Sequence, residues 1–303
     1  MKFLKWIPLL LICLLCVSCG RRSDKLKFGI VRPSIDHLPY SFALHSGDLD
    51  LNQLETVEFA TGWELGEALA AGKVDAGIIP FSFVWNAVSR GFPVKTVSFL
   101  ERETDAVIAE PGTTNLSMLD GKKIGLLRAS SVDLLWRDLA RSRNLSYTPV
   151  FFRAPNEIIA ALRKGEISAA TLYVPLINKL DSEFNVLHWF GDEHPGHPCC
   201  DLAVNTNKIY GAKLIILKQL LAQLDRTSAL LNSENHELIK FMAEEYELNP
   251  SQSEAALQRS VFSTGLDIRG KEFEIGMMQF ARQQGYIHTV PPALDVYWEL
   301  EKP

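Results

Sequence analysis

From Leu26 onward, short compact apolar runs alternate with stretches whose apolar residues recur every three or four positions. Leu26 to Val31, Val57 to Ala60 and Ala76 to Ile79 are runs of strand length. Between the last two, Leu65, Ala68 and Leu69 share one helical face, and Gly72 supplies the left-handed residue that ends such a helix. Strand, helix, strand in that order predicts parallel pairing in an α/β sheet.

The same pattern returns further on. Lys27-Phe28-Gly29-Ile30-Val31-Arg32-Pro33-Ser34 can be laid on Lys123-Ile124-Gly125-Leu126-Leu127-Arg128-Ala129-Ser130, with Lys, Gly, Arg and Ser coinciding. Glu64-Leu65 through Leu69, Gly72, Val74 and Ala76 match Glu157-Ile158 through Leu162, Gly165, Ile167 and Ala169. Both pieces occur in the same order at nearly the same offset, which predicts two similar lobes in one chain. The strand Asp105 to Ala109 runs into the breaker Glu110-Pro111-Gly112, which suits an outgoing crossover, and Asp201 to Asn205 suits the return. The lobes are accordingly expected at 26–110 with 205–303, and at 111–204. Beyond Lys208 the pattern is helical, with Leu214, Leu217, Leu221 and Leu224 in one series and Phe273, Met277, Phe280 and Ala281 in another. With little strand left, this tail is expected to pack on the first lobe. Two crossovers between two lobes make a hinge with a cleft.

The N-terminus changes the picture. Lys2 and Lys5 precede the apolar run Ile7 to Val17, and Ser18, Cys19 and Gly20 follow. A charged head, a short apolar middle and small residues make a secretory signal, and the run falls short of the roughly 20 apolar residues a spanning helix needs. Residues 1–18 read as the signal peptide and 19–25 as a tether. Val17-Ser18-Cys19 resembles the lipobox of bacterial lipoproteins, with Cys16 where that pattern usually has Leu. The resemblance implies acylation of Cys19 and a place on the extracytoplasmic membrane face; ordinary cleavage, releasing a soluble protein, is the alternative. Loss of residues 1–18 removes two of the 31 basic residues and none of the 36 acidic ones, leaving 29 against 36. A mildly acidic chain without a basic block offers no footprint for nucleic acid. Of five cysteines only Cys199 and Cys200 remain free of the N-terminal segment, so no disulfide framework is expected.

Thr61-Gly62-Trp63-Glu64, opening a helix that ends Ala-Leu-Ala-Ala-Gly-Lys-Val-Asp-Ala-Gly, resembles the nitrate, sulfonate and taurine class of ABC-importer binding proteins. That class also holds binders of thiamine pyrimidine precursors. Ser89-Arg90-Gly91-Phe92-Pro93-Val94, Leu119-Asp120-Gly121-Lys122-Lys123-Ile124-Gly125 and the stretch Ala160 to Leu176 are similar to its further blocks, in the same order. The resemblance covers about Leu26 to Asn205. It implies an α/β, two-lobed type II periplasmic-binding-protein fold, and a monomer that hands a small solute to a permease and an ATPase without a cofactor. Ligand identity does not follow from it.

The candidate contacts lie at strand ends, where open α/β sheets bind ligands. Arg128-Ala129-Ser130-Ser131 follows a strand and precedes a helix, so Ser130 and Ser131 either hold a polar or anionic group or only cap the helix. Thr61 and Trp63 occupy the matching place in the first lobe; Trp63 either stacks on a flat ligand or folds onto its own helix. Ser82 follows the third strand as a hydroxyl contact or an N-cap. His37, Tyr40 and Tyr173 offer rings with polar tips. His194, His197, Cys199 and Cys200 concentrate metal-ligating types, but their spacing matches no standard zinc pattern and a Pro-ordered turn is preferred, so no metal is expected. The rival functions are an exported sensor of the same build and an enzyme on the same fold, with Cys199 and His197 as nucleophile and base.

Overall fold

The structure is a computed structural model and describes residues 25–233 and 236–300. The signal peptide and Cys19 lie outside the described residues. The chain opens with β1 (Leu26–Val31), α1 (Leu38–His45), β2 (Leu54–Phe59), α2 (Gly62–Ala70), β3 (Ala76–Pro80), α3 (Phe81–Ser89) and β4 (Val94–Arg102). It continues through β5 (Asp105–Ala109), β6 (Lys122–Leu127), α4 (Ser131–Ser142), β7 (Tyr147–Phe152), α5 (Pro155–Arg163) and β8 (Ala169–Tyr173). Then come α6 (Leu176–Lys179), β9 (Asn185–Trp189), α7 (Phe190–Glu193) and β10 (Pro198–Asn205). The tail holds α8 (Ala212–Leu231), α9 (His236–Tyr246), α10 (Pro250–Arg259), the short β11 (Val261–Phe262), α11 (Ile268–Gln283) and α12 (Ala293–Val296).

Two sheets result, ordered β11-β4-β10-β3-β1-β2 and β7-β6-β8-β5-β9. The sequence repeat is a repeat of topology. β1 pairs in parallel with β2 and β3, placing Gly29 opposite Gly77, and β6 pairs in parallel with β7 and β8, placing Gly125 opposite Ala170. A Cβ on Gly29 would fall 2.2 Å from Leu65 Cδ1, and one on Gly125 2.5 Å from Ile167 Cδ1, so both central strands need bare backbone at the same place. Leu65, Ala68 and Leu69 bury the inner face of α2, each leucine worth ~1.5–3 kcal/mol, and Gly72 and Gly165 follow their helices with φ of 66°.

The crossovers differ from the expected boundaries. β5, expected in the first lobe, pairs antiparallel with β8 and β9 and is buried throughout in the second sheet. The outgoing chain turns instead at Glu103, a left-handed residue with φ of 67°. A breaker after β5 ends a strand of the second sheet; it does not leave the first. The return runs through α7 and the turn before β10, whose whole length from Pro198 joins the first sheet between β3 and β4. The tail packs on the first sheet through α8 and α12, while α10 also meets α6 and α11 meets both α3 and α4.

Inside the first sheet's core, Thr96 donates to Asp201 Oδ2 (2.6 Å), and Trp85 Nε1 and the Tyr297 hydroxyl both donate to Glu274 Oε2 (3.1 and 2.7 Å). Burial raises the Asp201 carboxyl to about 7, and burial together with Asp201 pushes Glu274 up as well.

A cleft between the strand ends of two sheets

A cavity of about 910 Å³ opens where the parallel strands of both sheets end. Its lining comes from the loops after β1, β2 and β3 on one wall and after β6, β7 and β8 on the other. Strands diverge from helices at these carboxyl ends, which leaves a crevice with free backbone groups.

On the second wall, the loop after β6 is internally compensated. Ala129 adopts φ of 60° and its N–H donates to Asp133 Oδ2 (2.9 Å). Ser130 is the N-cap of α4: its hydroxyl accepts from Asp133 N (3.3 Å) and donates to Leu127 O (2.7 Å). Arg137 Nε donates to Asp133 Oδ1 (2.8 Å) and the Tyr286 hydroxyl to Oδ2 (2.5 Å). The positive end of the helix is therefore already faced by a buried carboxyl of its own chain. Ser131, one residue on, places its hydroxyl 3.5 Å from Cys199 Sγ. Arg128 is exposed, its guanidinium 5.2 Å above the Phe151 ring, and Tyr173 lines the same cavity with burial pushing its phenol up.

On the first wall, Thr61 caps α2 by accepting from Glu64 N (3.2 Å). Trp63, 51% exposed, lines the cleft and rests edge-on against Phe83 of α3 at 5.7 Å, not on its own helix. His37 is buried, and Val31 N–H donates to its Nε2 (3.1 Å), which leaves the ring proton on Nδ1, an atom without a partner. Burial holds this imidazole below its ordinary pKa against the opposing pull of Asp36.

Two expected contacts do not reach the cleft. Tyr40 is fully buried, stacked on Phe28 at 4.5 Å with its hydroxyl 2.6 Å from Thr56 Oγ1, because it falls on the inner face of α1. Ser82 is neither contact nor cap: α3 already begins at Phe81, so Ser82 sits inside its first turn, buried and with an unpartnered hydroxyl.

The His-Pro-Cys-Cys segment splits. His194 Nε2 lies 3.3 Å from Asp138 Oδ2, and His197 Nδ1 is 2.9 Å from His194 O with its Nε2 3.9 Å from Asp105. No group of three metal-ligating side chains gathers among the described residues. Cys199 and Cys200 are free thiols that both line the cavity, Sγ to Sγ 3.8 Å. Strand side chains normally alternate, but the pairing of β10 with β4 slips on either side of Cys200, and such an irregularity re-aims side chains. Hydrogen bonding with Cys200 pulls the Cys199 thiol down, yet burial and the carboxyls of Asp105 and Glu101 outweigh it; Cys199 and burial push Cys200 up. Sequence reasoning missed these thiols as cleft residues, and with them Asp36, Glu101 and Thr104, which share the floor.

The NMT1/THI5 like family matches residues 48–208, just over half of the chain. A candidate binding protein of Brucella abortus (strain 2308) is 31% identical over 132 residues, 42% of this chain and only 40% of that relative's length. Among solved structures, the alkanesulfonate-binding protein SsuA from Xanthomonas axonopodis pv. citri, bound to MOPS, superposes with a TM-score of 0.80 at 19% identity, covering 93% of this chain and all of that one (100%). The periplasmic aliphatic sulphonate binding protein SsuA of Escherichia coli gives 0.77 at 18% identity, over 92% and 94% of the two chains. The periplasmic nitrate-binding protein NrtA of Synechocystis PCC 6803 gives 0.71 at 11% identity, over 88% and 83%. With the two-sheet topology and the strand-end cleft, these matches place the chain in the NMT1/THI5 like family, on the two-lobed periplasmic-binding-protein fold.

Proposed function

We propose that this chain is the solute-binding component of an ABC importer, working outside the cytoplasm and capturing a small polar solute by closing its lobes. The observation that carries the reading is the cleft itself, lined at strand ends by both sheets at once. A solute that touches both walls binds the closed arrangement better than the open one, and only such a difference moves a hinge equilibrium. Similar folds named for sulfonate and nitrate binding support a small solute over a macromolecular partner. Thr61, Trp63 and His37 on one wall and Arg128, Ser131 and Tyr173 on the other are the proposed contacts. Permease and ATPase subunits would receive the solute, and the acylated Cys19 would hold the protein at the membrane surface, since no described helix is long and apolar enough to cross it.

A catalytic reading of Cys199 finds little support. Nucleophilic catalysis uses the thiolate, and both thiols here are held well above their ordinary pKa. The test of the binding reading is a melting panel of nitrate, ethanesulfonate, taurine, bicarbonate and thiamine pyrimidine precursors, with scattering on every hit. Stabilisation with compaction supports it; stabilisation with no change of shape contradicts it. Mass spectrometry of the native N-terminus tests the anchor, and an unmodified Cys19 removes it.

A further inference from the structure

The cleft floor differs in chemistry from what a fully anionic solute needs. Glu101 is completely buried and lines the cavity, with Thr104 beside its carboxyl and no well-formed hydrogen bond to either oxygen. Asp36, which accepts from Ser34, lines the same floor, and Asp105, fully buried outside the lining, has no hydrogen bond to either oxygen and lies 3.9 Å from His197 Nε2. Buried polar groups in folded proteins nearly always find partners, so a cluster left open toward a cavity marks where a ligand completes it.

Among the described residues no Lys or Arg is paired with Glu101, and Arg128 and Arg153 line the opposite wall of the cavity. Arg102, next to Glu101 in sequence, is spent on Ser263 (2.9 Å), Gly196 O (2.5 Å) and Asp267. Arg137 is spent on Asp133, and Arg128 lies over Phe151 on the far wall. The start of α4, one of the helix ends at the cleft, is already met by Asp133.

We infer that the floor around Glu101 and Asp36 receives a cationic or N–H-donating nitrogen group of the solute, so that the site selects against wholly anionic solutes. This rests on the solute-binding reading and narrows it. In its ionised form the Glu101 carboxyl can accept two parallel N–H bonds, the geometry an amidinium or guanidinium edge presents. An anion in the same place would meet the carboxyls of Glu101 and Asp36, with Arg128 and Arg153 on the opposite wall.

The experiment uses two pairs of probes matched in shape and opposite in charge: benzamidine against benzoate, and guanidinium against nitrate. Titration calorimetry on the full chain is expected to show each cation binding at least tenfold more tightly than its anion. Glu101→Gln should bring that ratio close to one, and Asp36→Asn should lower it severalfold. A melting curve for each variant confirms folding, and Asp36→Asn carries the test should Glu101→Gln fail to fold. Scattering alongside separates the two readings. Tighter binding of benzoate or nitrate, with compaction, keeps solute capture and overturns the assignment of the floor. Cation preference without compaction keeps the floor and overturns solute capture by closure. No binding of either cation overturns the assignment.

Discussion

Tyr286, just beyond α11, donates its hydroxyl to Asp133 Oδ2 at 2.5 Å and so fastens the C-terminal tail to the first turn of α4 beside the cleft. Burial and the neighbouring carboxyl keep this phenol protonated, which preserves the donor. Tyr286→Phe removes one partner of a buried acceptor that keeps Arg137 and the Ala129 N–H. The expected loss is about 1–2 kcal/mol in urea unfolding, and Asp133→Ala, which strips all three donors, is expected to cost more.

Ser130→Ala is expected to act on stability. Its hydroxyl is committed to Leu127 O and Asp133 N, so the variant loses a helix cap worth about 1 kcal/mol. Ser131→Ala leaves the cap intact and should leave the unfolding midpoint near that of the parent. Equal losses in the two would contradict this division.

The Asp201 and Glu274 carboxyls give stability a definite pH arm. The folded Asp201 value of about 7 lies above its ordinary 3.8, so the folded state binds the proton more tightly. That contribution is complete below pH 3.8 and is lost as pH rises through about 7, at up to about 1.4 kcal/mol per pH unit for one proton. Asp201→Asn should therefore flatten the fall in unfolding free energy between about pH 4 and pH 7. An unchanged slope would contradict the assignment.

Glu101 carries the same sign with a ligand attached. Burial and Asp105 push its carboxyl well above its ordinary value, which favours the protonated form in the empty site. A cation on the floor requires the ionised form. Benzamidine should then bind with net proton release, and its affinity should rise with pH across the range in which Glu101 titrates, by at most about tenfold per unit. Asp36, Cys199, Cys200 and Tyr173 share this environment, and the three with raised pKa values stay neutral through the same range. Calorimetry in buffers of different ionisation enthalpy counts the proton. Zero release would show that Glu101 is not the partner.

Local signals carried much of the fold in the sequence. Leu65, Ala68 and Leu69 are periodic, Gly72 and Gly165 end helices, and Gly29 and Gly125 mark the repeated central strand, all within a few residues of their effects. The crossover was misplaced because a left-handed Glu103 has no compositional mark, whereas Pro111-Gly112 has a strong one. Tyr40 was misassigned because a loop-like position in sequence becomes the inner face of α1. Glu101, Cys199 and Cys200 reach the floor only through the antiparallel pairing of β4 with β10 and its slip at Cys200, distant in sequence and without local signature.

The most direct test of solute capture uses the chain's own bound material. Protein purified from its native host is unfolded to release small molecules, refolded empty, and measured by small-angle scattering before and after that same extract is returned. The extract should contain one small solute per chain, and its return should lower the radius of gyration and raise the melting temperature. An extract with no stoichiometric solute, or one whose return leaves shape and melting unchanged, would contradict capture by closure.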